Sequence, residues 1–196
     1  MNFLAHLWLS ECAALPLAGA VLGDVVRGRL DGRLPAELER SIALHRRIDV
    51  LTDSHPDIAL TRARFDPGAR RYAGIVLDVL HDHALARAWR SPGETLDDFA
   101  RRAAKAVGDP GAWQLAAGRA APDIRRFEAL LCSYRDEAGI DTAFARIASR
   151  LSQPQRLLEA AADWRALMPV IHAQGPALLA DLETAARAFA AAGAGR

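Results

Sequence analysis

The sequence predicts an all-α fold, a single-domain helical bundle of about eight or nine helices spanning residues 1–196. Apolar residues recur at three- and four-residue spacing along almost the whole chain, with no convincing period-two alternation. Proline and glycine stand where helices would begin and end. No repeat, low-complexity linker or break in composition divides the 196 residues, a length that builds one sizeable core.

The elements follow in order. Asn2 can cap a first short helix carrying Phe3, Leu4, Leu7 and Trp8. Pro16 fits the first turn of a second helix that runs to Arg27, with Gly28 as its stop. Pro35 opens a third through Leu38, Ile42, His45, Asp49 and Leu51, ending before Pro56. Asp57 starts a short fourth helix, and a long fifth covers residues 68–89, closed by Ser91-Pro92-Gly93. Helices are expected over 95–107, 122–137 and 142–151. A last one begins near Gln155 and is expected to bend or break at Pro169 and at Gly175-Pro176. The Ala- and Gly-rich tail, 190–196, is expected to fray.

Composition narrows the function. With 51% apolar and 25% charged residues the chain is no disordered segment, and a net charge of +1 argues against a general nucleic-acid binder. Cys12 and Cys132 are far apart and share no CxxC spacing, which reads as two reduced thiols. The apolar stretch 12–23 lacks a basic flank, follows His6 and Glu11, and is closed by Asp24, so it resembles neither a signal peptide nor a membrane span. A cytoplasmic protein with no membrane partner is expected.

The polar residues carry the chemistry. His81, Asp82 and His83 stand in a row after the apolar run Ile75-Val76-Leu77-Asp78-Val79-Leu80. Asp78 and Asp82 are four apart and share a helix face; so do His45, Asp49 and Asp53 on the third helix, in line with Leu38 and Ile42. Asp24 lies among Leu22, Val25 and Val26, and His6 interrupts the apolar face of the first helix. Taken singly each has a plain reading: His6 a hydrogen-bonded core residue, His55 a cap for helix-end carbonyls, His172 a surface residue, Asp49 an ion-pair partner of Arg46 or Arg47. Together they place acids or imidazoles in apolar surroundings on four helices. Unpaired burial of a carboxylate costs several kcal/mol by order of magnitude, so four coincidences call for compensation, and a metal ion supplies it. The mixed donor set suits Mn, Fe or Mg better than a structural zinc. Paired Glu-x-x-His motifs of the ferritin type are absent.

Four segments add a resemblance. Met1-Asn2-Phe3-Leu4-Ala5-His6-Leu7, Gly23-Asp24-Val25-Val26-Arg27-Gly28, His45-Arg46-Arg47-Ile48-Asp49-Val50-Leu51-Thr52-Asp53, and Leu77-Asp78 followed by Asp82-His83 are similar, in this order, to the motifs of the bacterial acyl carrier protein phosphodiesterases. All lie within residues 1–90; the second half agrees in length and helicity only. That family is a divergent, all-helical relative of the HD-type metal-dependent phosphohydrolases. The resemblance implies an HD-like fold and hydrolysis of the phosphodiester joining 4′-phosphopantetheine to a serine of acyl carrier protein. The implied cofactor is Mn2+, with Mg2+, Fe2+ or Co2+ as alternatives.

Carried over by residue, the resemblance makes Asp24, His45, Asp78, Asp82 and His83 the expected metal shell. It leaves His6, Asp49 and Asp53 as ligands, orienting groups or proton carriers, and Arg46 to neutralise phosphate charge. His81 has no place in the pattern. Because acyl carrier proteins are acidic, a basic rim is expected from Arg27, Arg29, Arg33, Arg47, Arg62 and Arg64. Two alternatives stay open: an HD-type phosphohydrolase acting on a nucleotide or small phosphodiester, and a non-catalytic helical module that binds acidic carrier proteins. The oligomeric state is not legible.

Overall fold

A computed structural model describes residues 1–89 and 91–193. Among them are eleven helices and no strand. These are α1 (Phe3–Cys12), α2 (Leu17–Leu22), α3 (Ala36–Ser54), α4 (Pro56–Arg62), α5 (Arg70–Arg87) and α6 (Leu96–Val107), then α7 (Pro110–Ala117), α8 (Ile124–Ser133), α9 (Glu137–Ala148), α10 (Pro154–Ala161) and α11 (Trp164–Gly193). None is long and apolar enough to cross a membrane.

Two helices lie at the centre. In α1 the buried positions Leu4, Ala5, His6, Leu7, Leu9 and Ser10 cover more than one face, the mark of a helix enclosed by others. It packs against α2, α3, α5 and α11. In α5 five consecutive residues, Val79 to His83, are buried, so this helix too is wrapped on all sides. Each large aliphatic side chain sealed here contributes about 1.5–3 kcal/mol relative to exposure. Around the pair, α2 packs on α3, α10 on α5 and α9, and α6 on α8.

The α2–α3 contact is unusually close, and glycine permits it. Gly19 of α2 and Gly23 just past its end, four apart, face Ser41 and His45, four apart on α3; a Cβ at either glycine would overlap the facing side chain. Ser41 Oγ donates to the Pro16 carbonyl at 2.7 Å and His45 Nδ1 to the Ala20 carbonyl at 2.7 Å. Two side chains of α3 thus bind two successive turns of the α2 segment.

Several expected boundaries move. The second helix stops at Leu22 and not at Arg27, because Arg46 of α3 draws the following chain across itself by donating to the carbonyls of Val26 and Gly28, both at 2.8 Å. Helix α7 was not expected, although Asp109 caps it, Pro110 fills its first turn and Gly118 ends it at φ 61°. The helix expected over 122–137 ends at Ser133, and α9 begins at Glu137, earlier than the expected 142. The last helical stretch breaks at residues 162–163 and runs on through Pro169 and Pro176. Both prolines are exposed, where water can satisfy the carbonyls they free. Helix α11 extends to Gly193, into the tail expected to fray; residues 194–196 lie outside the described residues.

Candidate active site

The close α2–α3 contact builds a small polar centre. The Ala20 bond fixes the His45 ring so that Nε2 points away from α2, 3.1 Å from Asp49 Oδ2 and 3.4 Å from Asp24 Oδ1. One helical turn separates His45 from Asp49, so both project from the same face of α3. From α1, His6 stacks on His45 with ring centroids 3.9 Å apart, and its Nε2 donates to Asp49 Oδ1 at 3.0 Å. Asp49 therefore receives one imidazole on each oxygen. His6 and His45 are buried, while Asp24 and Asp49 keep an open side. A cavity of about 360 Å³ lies there, lined by Gly23, Asp24, Arg27, His45, Arg46 and Asp49.

The electrostatics separate the two rings. Burial lowers the pKa of His6 to about 4, outweighing its bond to Asp49, so the ring is neutral at pH 7. Burial works against a charged His45 as well, but its contacts with Asp24 and Asp49 prevail and raise it to about 9. Asp49 responds in kind: burial would raise it, and the two imidazoles hold it below the ordinary carboxylate range. Asp24 is lowered too, its contact with His45 overcoming burial.

This donor set fits a divalent ion. One ligand atom each from His6, His45 and Asp49 lies within 4.8 Å of the others. His45 already has the outer hydrogen bond that orients ligating imidazoles. His6 Nδ1 is buried without a partner among the described residues. The donors are two imidazole nitrogens and one carboxylate oxygen, with no thiolate among them.

The five residues expected as a metal shell do not converge. His45 and Asp24 join His6 and Asp49, whereas the three from α5 turn elsewhere. Consecutive helical residues point about 100° apart, so His81, Asp82 and His83 meet three different neighbours. Asp82, fully buried, accepts from the Leu4 and Ala5 amides at 2.7 and 3.0 Å, satisfying the start of α1. Burial raises its pKa to about 7 despite those two amides. Asp78 lies one turn before it and accepts from the Met1 amino group at 2.7 Å. His83 Nδ1 donates to the Tyr134 carbonyl at 2.6 Å, and its ring meets Trp164 edge-on. His81 faces a separate cavity between α5 and α11.

The other expected residues also have definite places. Asp53 is exposed and pairs with Arg62 at 3.1 Å. Arg46 is committed to the Val26 and Gly28 carbonyls and so holds the loop beside the cavity. Arg33 pairs with Asp31. Arg27, Arg29, Arg47 and Arg64 are exposed and have no ion pair among the described residues. His55 caps the end of α3, its backbone N–H donating to the Thr52 carbonyl at 3.1 Å, and its Nδ1 accepts the Asp57 amide at the start of α4. His172 is exposed, as expected. The sequence does not announce the part played by Gly23 and the Ala20 carbonyl. The one signal available is the matched four-residue spacing of Gly19 with Gly23 and Ser41 with His45.

A sequence model of the acyl carrier protein phosphodiesterase family matches residues 1–182. The acyl carrier protein phosphodiesterase of Klebsiella pneumoniae subsp. pneumoniae is 45% identical over 109 residues, 55% of this chain and 56% of that protein. That of Yersinia pestis is 47% identical over 105 residues, 53% of this chain and 54% of that protein. That of Escherichia coli O139:H28 is 46% identical over 101 residues, 50% and 52% of the two chains. The chain thus matches about half the length of these relatives. No solved structure matches it.

Proposed function

The chain belongs to the acyl carrier protein phosphodiesterase family, and we propose that it hydrolyses the phosphodiester linking 4′-phosphopantetheine to a serine of holo acyl carrier protein. The products are apo carrier protein and free phosphopantetheine. The observation that carries this reading is the convergence of His6, His45 and Asp49 from two helices, within two of the four segments that resemble the family, beside an open cavity that His45 and Asp49 line.

His6, His45 and Asp49 hold the divalent ion in this reading, with Asp24 beside them. A bound ion such as Mn2+ would polarise a phosphoryl oxygen and lower the pKa of water. The residues of the chain do the rest. Asp24, on the open side, orients the attacking water. Arg27 lines the same cavity and, unpaired, meets the non-bridging phosphate oxygens. Arg46 acts by position, keeping residues 26–28 at the cavity edge. Arg27 at the cavity and the exposed Arg29, Arg47 and Arg64 are the positive charges available to an acidic carrier protein. The expectation of a cytoplasmic enzyme accords with this substrate and stays part of the proposal.

The test is mass spectrometry of holo acyl carrier protein after incubation with the protein and Mn2+, with an EDTA control. Loss of the phosphopantetheine mass, abolished by EDTA, is expected. An unchanged carrier protein alongside hydrolysis of nucleotides or small phosphodiesters would move the chain to the HD-type alternative. Unchanged carrier that nevertheless binds would leave the non-catalytic module.

A further inference from the structure

A second cavity of about 390 Å³ lies on the other side of α1 from the His6 centre. Its walls come from three helices far apart in sequence: Trp8 of α1, His81 and Leu85 of α5, and Ile171 and Leu179 of α11, with Trp89 just past the end of α5. Its size falls within the roughly 300–1,000 Å³ of small-molecule sites, far above the voids that packing leaves in a core. Its neighbour is the candidate active site: Ala5 lines the cavity and the next residue is His6, while Met1 lines it and also contacts Asp78.

The polarity of the walls says what fits. Both indole N–H groups are engaged, Trp8 donating to Glu183 of the lining at 2.7 Å and Trp89 to the Glu94 carbonyl at 3.1 Å, which leaves their ring surfaces for contact; Ser91, His172 and Glu183 are the polar part of an otherwise apolar rim. The one buried polar side chain in the lining without a partner is His81. It is 6% exposed, and neither ring nitrogen has a hydrogen-bond partner among the described residues. Its ring nitrogens open onto the cavity and not onto a protein partner, so a ligand seated there can bond them. Burial keeps this ring neutral, with a pKa lowered to about 4, so it can donate one hydrogen bond without carrying charge. The cavity therefore suits an uncharged chain that is mostly hydrocarbon and carries one carbonyl. The bare pantetheine arm, with two amides and a hydroxyl, has less hydrocarbon to set against the apolar walls.

We propose that this cavity is the subsite for the acyl chain of an acylated carrier protein, with His81 donating to the thioester carbonyl and the indoles of Trp8 and Trp89 flanking the chain. The identity of the ligand rests on the reaction proposed above; the presence of a ligand site does not. At about 30 Å³ for each water-sized group, the volume holds about a dozen methylene-sized groups, which sets an upper limit on the chain length that gains contact.

The test uses the intact protein and acyl-pantetheines, which lack the phosphate and so bind independently of the metal centre. Binding of pantetheine and its hexanoyl, decanoyl and hexadecanoyl thioesters is followed by calorimetry. The expected result is a ladder: affinity rises up to about fourfold per added methylene between hexanoyl and decanoyl, and the gain has stopped by hexadecanoyl. His81→Leu weakens decanoyl-pantetheine by up to about tenfold. Ala84→Trp, which fills the cavity from α5, removes the ladder. Should that variant fail to fold, the wild-type ladder still decides. No saturable binding, equal affinity for pantetheine and decanoyl-pantetheine, or a gain undiminished to sixteen carbons would each overturn the proposal; unchanged affinity in His81→Leu would overturn the part given to His81. A protein that shows the ladder but leaves holo carrier protein intact keeps the acyl site and loses the reaction. One that cleaves holo carrier protein without a ladder does the reverse.

Discussion

Asp82→Ala separates the two roles open to the α5 carboxylates. In the structure Asp82 accepts the Leu4 and Ala5 amides, so the substitution strands two buried N–H groups at the start of α1. Asp82 titrates near 7, and at pH 5.5 its side chain is already neutral. The change there removes acceptors without removing a charge. Each stranded donor costs about 1–3 kcal/mol, which puts the loss near 3 kcal/mol after partial relaxation. For a chain of this length, that lowers Tm by about 6–12 °C. The assay is thermal unfolding by circular dichroism at pH 5.5, with Mn2+ binding measured at pH 7 well below the transition. The expected variant is markedly less stable and still binds the ion. A Tm within about 2 °C of wild type, together with lost Mn2+ binding, would refute the reasoning and return Asp82 to the metal shell.

Other substitutions and conditions test the centre itself. Gly23→Ala places a methyl group into the His45 ring; overpacking of this kind costs about 1–3 kcal/mol, and phosphodiesterase activity is expected to fall more than stability because His45 must move. In metal-free protein, the raised pKa of His45 gives stability that is complete below pH 6.5 and is lost as the pH rises to about 9, which urea unfolding at pH 6.5 and 9 will register. A ligating imidazole must be neutral, so Mn2+ affinity is expected to climb over that same interval; a flat profile would exclude His45 as a ligand. Replacing Arg47 and Arg64 together with Ala is expected to raise KM for carrier protein several-fold with little change in kcat, and added salt should reduce the difference between variant and wild type.

The helical class was legible because period and punctuation agree over most of the chain. The pairing of His45 with Asp49 was legible for a similar reason, since a four-residue spacing on one helix fixes a shared face. His6 was a candidate on its own, but only the stacking of α1 on α3 makes it the second imidazole on Asp49. The cluster on α5 misled because sequence reports that residues are buried and not toward what. In a helix enclosed on every side, His81, Asp82 and His83 are all buried and all serve different partners. The cavity beside His81 was beyond reach, since Trp8 and Leu179 meet only through the packing of α1 on α11. Helix α7 had its cap, proline and terminal glycine in plain sight, and its short length hid the period.

The most direct test of the metal centre is a calorimetric titration of Mn2+ into metal-free wild-type protein, Asp49→Asn and His83→Gln at neutral pH. Saturable binding retained by wild type and His83→Gln and lost by Asp49→Asn is the predicted result. Binding that survives Asp49→Asn and disappears in His83→Gln would contradict it, and would move the ion from the His6, His45 and Asp49 cluster to α5.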